Sequence, residues 1–145
     1  MAASAEENTR VRLAELADLS ELARLDPWPS ANTWRRKIEA GEVTVLECAN
    51  KIAGLARYTM LWTTVSFMGL VWIAESYRGR GYSRKLLRFL IQHLKAQGAV
   101  ALLSSSQTDE PEAQRWHAHM GFHTNGIIEN IADDNVGEIV YRLEL

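Results

Sequence analysis

One stretch constrains the architecture more than any other. Thr64–Ala74 is apolar and nearly free of charge, Gly81–Gln97 is a strongly amphipathic helix, and Arg78-Gly79-Arg80-Gly81 joins them. In the helix Tyr82, Leu86, Leu87, Leu90, Ile91 and Leu94 fall on one face, with Arg84, Lys85, Arg88, Gln92 and Lys95 on the other. Gly98 is the expected left-handed stop. Ala99–Ser104 follows as a small, apolar strand suited to burial beside that helix. The lack of charge in Thr64–Ala74 marks it as a central strand.

The remaining elements fall into place around this unit. Thr9–Leu13 reads as a first strand. Asp18–Leu25 carries Leu19, Leu22 and Leu25 at helical spacing and should end before Pro27. Ser30 or Asn32 can cap a second helix running to Ala40 and closed by Gly41. Val43–Ala49 and Ile52–Trp62 read as strands joined by a turn at Asn50-Lys51. Glu112–Met120 is a short helix ending at Gly121. Phe122–Ile131 and Gly137–Leu145 form a closing hairpin around Ala132–Val136. The order is β-α-α-β-β-β-α-β-α-β-β, which gives a mixed α/β or α+β sheet. A doubly wound fold would alternate helix and strand throughout.

The chain has 145 residues, suited to a single domain over 1–145 with residues 1–8 as a flexible tail. A net charge of −2 offers no electrostatic footprint for nucleic acid. No apolar run approaches the roughly 18 residues of a membrane span. The small, acidic start lacks the basic and apolar regions of a signal peptide, so a cytoplasmic location is expected. Cys48 is the single cysteine and lies in an apolar stretch, where it reads as a core residue.

Chemistry concentrates in the turn Tyr77-Arg78-Gly79-Arg80-Gly81-Tyr82-Ser83. A helix N-terminus presents amide groups and the positive end of the helix dipole, and glycines let a backbone close on a pyrophosphate. Arg78 and Arg80 add charge and forked donors. The plain alternative is a glycine loop with two solvated arginines. A P-loop needs Gly-Lys-Ser/Thr, which is absent. A dinucleotide fold needs a third glycine and an early position in the chain, and neither holds.

With these residues the chain resembles the GNAT superfamily of acyl-CoA-dependent N-acetyltransferases. That family's turn is Arg/Gln-x-x-Gly-x-Gly/Ala, matched here by Arg78, Gly81 and Ser83, the serine departing from the usual glycine or alanine. A second family motif has asparagine, then alanine three residues on, then tyrosine, then a Gly-Phe pair. Here Ala113, Gly121 and Phe122 match, while Glu110 replaces the asparagine and His117 the tyrosine. The resemblance implies a mixed, mostly antiparallel sheet of six to seven strands flanked by about four helices. It implies acetyl-CoA as co-substrate and no metal. It implies cofactor contacts from Trp72, Ile73, Arg78, Gly79, Arg80, Gly81, Tyr82, Ser83, Glu110 and Ala113.

The implied reaction is direct attack of a neutral amine on the thioester. His117 is the candidate for the tyrosine's proton-handling role, since imidazole exchanges protons near neutral pH. A packed helix histidine without a role is the alternative. Thr64–Gly69 carries no acid, so a base must come from elsewhere. Glu47 is the leading candidate, with Asp109, Glu110 and the hydroxyls of Ser104–Ser106 behind it. His119 and His123 read as surface residues, and their spacing with His117 does not make a zinc site.

Glu129, Asp133, Asp134 and Glu138 crowd the closing hairpin and would suit a protonated amine. Trp28, Trp34 and Trp62 read by default as core, with an aromatic wall near Pro27-Trp28-Pro29 as the alternative. The expected acceptor is a small cationic metabolite or amino sugar. A protein N-terminal or lysine acetyltransferase, and a non-catalytic acyl-CoA sensor, are the competing readings. A second copy of the chain is a further candidate partner.

Overall fold

The computed structural model describes residues 8–131 and 135–145. Among them the chain forms β1 (Thr9–Leu13), α1 (Leu19–Leu25), α2 (Ala31–Glu39), β2 (Val43–Cys48), β3 (Lys51–Trp62) and β4 (Val65–Ile73). It continues with α3 (Tyr82–Ala96), β5 (Ala101–Gln107), α4 (Pro111–His119), β6 (His123–Ile128) and β7 (Glu138–Glu144). Short 3-10 turns at Leu16–Asp18 and Glu75–Tyr77 precede α1 and follow β4. The strands form one seven-stranded sheet in the order β1-β2-β3-β4-β5-β7-β6. Pairs β1/β2, β2/β3, β5/β7 and β6/β7 are antiparallel, and β4/β5 is parallel. The mixed, mostly antiparallel sheet with its helices is the expected one.

The chain groups into two compact units. The first takes the described part of Met1–Tyr58 together with Leu70–Leu90, and the second takes Thr59–Gly69 with Ile91–Leu145.

In the first unit Ala14, Leu22, Trp34, Ile38, Val43, Val45 and Leu55 pack as one apolar cluster. Leu22 comes from α1, Trp34 and Ile38 from α2, Val43 and Val45 from alternate positions of β2, and Leu55 from β3, with Ala14 just past β1. Val43, Thr44, Val45 and Leu46 are all buried, the pattern of a strand covered on both faces. Ser30 caps α2, its Oγ accepting from Thr33 N at 3.1 Å, which decides between the two expected caps. Trp34 donates its indole N–H to Asp26 O at 3.1 Å, and Arg57 Nε reaches Asp26 Oδ2 at 2.8 Å. The Arg57 bond partners a carboxylate that is otherwise buried, and the Trp34 bond takes the backbone carbonyl of the same residue. On α3 the expected face is the buried one: Tyr82, Leu86, Leu87, Leu90 and Leu94 are all in the core.

The structure corrects several boundaries. The β2–β3 turn is Ala49-Asn50, with φ of 49° and 63°, and Lys51 already pairs with Cys48. Positive φ at both central residues makes this a type I′ turn, so the register puts Ala49 into a conformation it would not choose. β5 begins at Ala101 and runs on through Ser104–Gln107, where an end at Ser104 was expected. Only Trp34 of the three named tryptophans is core: Trp28 is 91 % exposed between its prolines, and Trp62 is 68 % exposed at the tip of β3. Asp133 and Asp134 lie outside the described residues.

Gly54 is a position the sequence did not single out. A Cβ there would lie 2.6 Å from Ile73 Cδ1 and 3.0 Å from Trp72 O. The glycine therefore lets β3 close on the end of β4. Gly54→Ala is expected to lower stability by about 1–3 kcal/mol through overpacking, less the small entropic gain of leaving glycine. Urea denaturation measures it, and adding Ile73→Val, which removes Cδ1, should recover part of the loss. An unchanged midpoint for Gly54→Ala would contradict the close approach.

Candidate active site

In the first unit the candidate site is the passage from β4 into α3. Tyr77 N donates to Ala74 O at 2.8 Å and Arg78 N to Glu75 O at 3.2 Å, which shapes the 3-10 turn. The backbone then takes φ of 75° at Gly79 and 79° at Gly81, the left-handed region that glycine reaches without strain. The α3 ladder opens with Lys85 N donating to Gly81 O at 3.2 Å. A Cβ at Gly79 or Gly81 would meet nothing within 4 Å, so the glycines are demanded by conformation and the space beside them is open. Open space, left-handed glycines and a helix N-terminus together fit the pyrophosphate of an acyl-CoA.

The two arginines differ in what they do. Arg78 Nε donates to Ile73 O at 2.8 Å, so the side chain folds back onto the strand it follows. The Arg80 guanidinium lies over the Tyr77 ring, 5.8 Å from its centroid. Tyr82 is buried, so its ring belongs to the core and only its backbone faces the task expected of it. Ser83 is half-buried beside it. Trp72 packs against the apolar cluster of this unit, and Ile73 is buried. The β4/β5 ladder ends at Met68↔Ser104, although β4 runs on to Ile73 and β5 to Gln107.

Glu47 sits on β2 with a side chain 13 % exposed, bound by Arg12 Nε at 2.9 Å and Arg10 Nε at 3.3 Å. Arg12 also holds Asp18 Oδ2 at 2.7 Å. The bond from Arg12, supported by Arg10, keeps the Glu47 carboxyl below the ordinary glutamate range. A base working near neutral pH needs the opposite shift. The candidate base is thus a member of an ion-pair network that ties β1 to β2.

His117 lies in the second unit, on α4, and is only 5 % exposed. Its Nδ1 is 2.7 Å from Ala113 O, and its Nε2 is 2.8 Å from Ser104 Oγ. A carbonyl can only accept, so Nδ1 carries the proton and the neutral ring accepts at Nε2 from the serine. Ser104 Oγ also lies 3.4 Å from Met68 O, an alternative acceptor for its hydrogen. The imidazole stacks on the Tyr141 ring at 4.1 Å and 7°, and Tyr141 OH lies 2.8 Å from Ser106 Oγ. This buried polar ladder was half legible: the serines and His117 were named, and Tyr141 carried no signal beyond its alternation on β7. Burial pushes the His117 imidazole below its ordinary value, and the Ala113 bond offsets this in part.

Ala113 thus contributes a carbonyl to His117. Glu110 is exposed, and its carboxylate accepts from Gln107 N at 3.0 Å, closing the β5–α4 turn. Asp109, His119 and His123 are exposed. Among the described residues no group of three His, Cys, Asp or Glu side chains is placed to hold a metal ion.

The family model for the acetyltransferase (GNAT) family matches residues 12–122, and the chain belongs to that family. It is accordingly an acetyl-CoA-dependent acyltransferase, with acetyl-CoA as co-substrate. No curated protein matches it in sequence. Among solved structures it is similar to an acetyltransferase of the GNAT family from Bacillus cereus, at 23 % identity and TM-score 0.77, covering 94 % of this chain and 96 % of that one. A GNAT family acetyltransferase from Elizabethkingia anophelis with acetyl-CoA bound matches at 18 % identity and TM-score 0.75, covering 96 % and 99 %. Ribosomal-protein-alanine N-acetyltransferase from Brucella melitensis matches at 19 % identity and TM-score 0.77, covering 94 % and 99 %.

The depressed His117 value has a consequence for stability. Below the ordinary imidazole value of about 6.5 the unfolded chain takes up a proton that the folded chain resists. The histidine's contribution is therefore complete above that value and is lost as pH falls beneath it. Thermal melts from pH 7.5 to 5 should show a steeper acid loss for wild type than for His117→Gln. Parallel curves would mean that His117 is not the responsible group.

Proposed function

We propose that this enzyme transfers the acetyl group of acetyl-CoA to the primary amine of a small cationic metabolite or amino sugar. The observation that carries the acetyl-CoA half is the pair of left-handed glycines, with open space beside them, at the N-terminus of α3. Pyrophosphate binds that turn, and the pantetheine arm follows the backbone of Trp72 and Ile73 on β4. The acceptor amine attacks the thioester carbon, the C–S bond breaks, the amine gives up a proton, and the CoA thiolate takes one.

His117 is the residue we assign to proton handling, through Nε2 and the Ser104 hydroxyl bonded to it, because Nδ1 is committed to Ala113 O. Glu47 is assigned no catalytic role, because its carboxylate is already bound by two guanidiniums. Support for a cationic acceptor comes from Glu129 and Glu138, which flank the β6–β7 connection. A second reading, acetylation of a protein N-terminus, is favoured by the likeness to ribosomal-protein-alanine N-acetyltransferase along nearly the whole of both chains.

Calorimetry with acetyl-CoA, followed by thiol release over a panel of amines, tests the proposal. Wild type should bind in the micromolar range, and Gly81→Val should lose about tenfold or more, since a β-branched residue at φ 79° reshapes the turn. Faster thiol release with polyamines or amino sugars than with an N-terminal peptide supports the small-amine reading. The reverse order selects the protein-directed one. Binding without thiol release from any amine would defeat both.

A further inference from the structure

We propose that Arg78 is a positioning residue, which through Nε clamps the end of β4 to the glycine turn and so presets the spacing between the two parts of the acetyl-CoA site. The inference rests on the acetyl-CoA reading above and names a device within that site.

Ile73 and Arg78 stand at the two ends of the 3-10 turn Glu75–Tyr77. The turn's own backbone bonds, Tyr77 N to Ala74 O and Arg78 N to Glu75 O, fix its local curl. They do not by themselves tie the far end of the curl to the strand. The Arg78 side chain supplies that tie, its Nε donating to the Ile73 carbonyl at 2.8 Å in a part-buried setting. Ile73 is buried, and the next residue is anchored by Ala74 N donating to Ala53 O at 2.8 Å. The clamp thus connects a fixed point on β4 to the residue immediately before Gly79, where the backbone turns left-handed.

A loop that must order on binding charges its lost freedom against affinity, and a loop already ordered does not. Nε is one of the five N–H donors of a guanidinium. Committing it leaves the Nη groups for an anion, so clamping and charge are separable properties of one side chain. The atoms allow that separation to be made by mutation. Glutamine places a nitrogen that bears hydrogen the same number of bonds from Cα as arginine Nε, without the charge. Methionine has a similar reach and no donor. Lysine keeps the charge and loses the planar donor at that position.

Two measurements on the 145-residue chain test this, with melting curves confirming that each variant is folded. The first is the affinity for acetyl-CoA, together with the KM values for acetyl-CoA and acceptor. Arg78→Gln should stay within about threefold of wild type, while Arg78→Met and Arg78→Lys should each lose about tenfold, the scale of one hydrogen bond formed by a charged group. The loss should appear in the KM for acetyl-CoA and leave the acceptor KM unmoved. The second is hydrogen exchange of the amides from Ala74 to Gly81 without ligand. It should be unchanged in Arg78→Gln and faster in Arg78→Met and Arg78→Lys.

The opposite ranking, with lysine close to wild type and glutamine as weak as methionine, would assign Arg78 to charge alone and overturn the clamp. So would equal behaviour of all three variants in either measurement. A wild type that binds no acetyl-CoA would refute the acetyl-CoA reading instead, and the exchange experiment would still decide the clamp.

Discussion

At the end of β4 the chain leaves the sheet with its peptide groups already partnered. A strand that hands over to a helix within a few residues must find partners for the peptide groups it takes out of the ladder. Here Ala74 N is taken by Ala53 O and Ile73 O by Arg78. Gly54, by lacking a side chain, lets β3 come close enough for this to happen. Ala53 is also the residue skipped in the β2–β3 register, where the pairing shifts between Leu46 and Glu47. A bulge in one strand thus frees a carbonyl that anchors the exit of another. The left-handed glycines follow only after this anchorage, so the glycine turn inherits its place from contacts made several residues earlier.

The second unit solves a different problem, that of placing polar groups in a packed interior. Ser104 and Ser106 are on one face of β5, and both are buried. Each hydroxyl meets a ring that carries a polar atom, His117 for one and Tyr141 for the other. The rings stack on each other, so a contact that is largely apolar holds two hydrogen bonds in line. Among the described residues no buried side-chain nitrogen or oxygen lacks a partner. The imidazole can change its protonation state without orphaning Ser104, because the hydroxyl can turn to Met68 O.

Much of this was legible where periodicity decides the outcome. The apolar face of α3 is buried as its spacing predicts, and the glycine turn stands where the sequence puts it. The sequence misled where a long-range partner decides. Ser104–Gln107 looks like the polar end of a strand, yet all four residues pair with β7, and the buried hydroxyls of Ser104 and Ser106 bond His117 and Tyr141. Ala49 carries no turn signal, but the register of β2 against β3 leaves it no other conformation. Trp28 reads as core by residue type, and only the loop fixed by Asp26 and Ser30 shows that it points to water. Glu47 looked like an available carboxylate because Arg10 and Arg12 sit on a strand distant in sequence.

The burial of Cys48 reaches beyond packing. It is the chain's single cysteine, its side chain lies within the fold, and its sulfur is 3.5 Å from Thr9 Oγ1. The native protein therefore offers no exposed thiol to an electrophile. A chromogenic disulfide mixed with the folded enzyme and acetyl-CoA has only one reactive sulfur to meet, that of the coenzyme after its acyl group has left. The fold supplies its own dark background for watching the product appear.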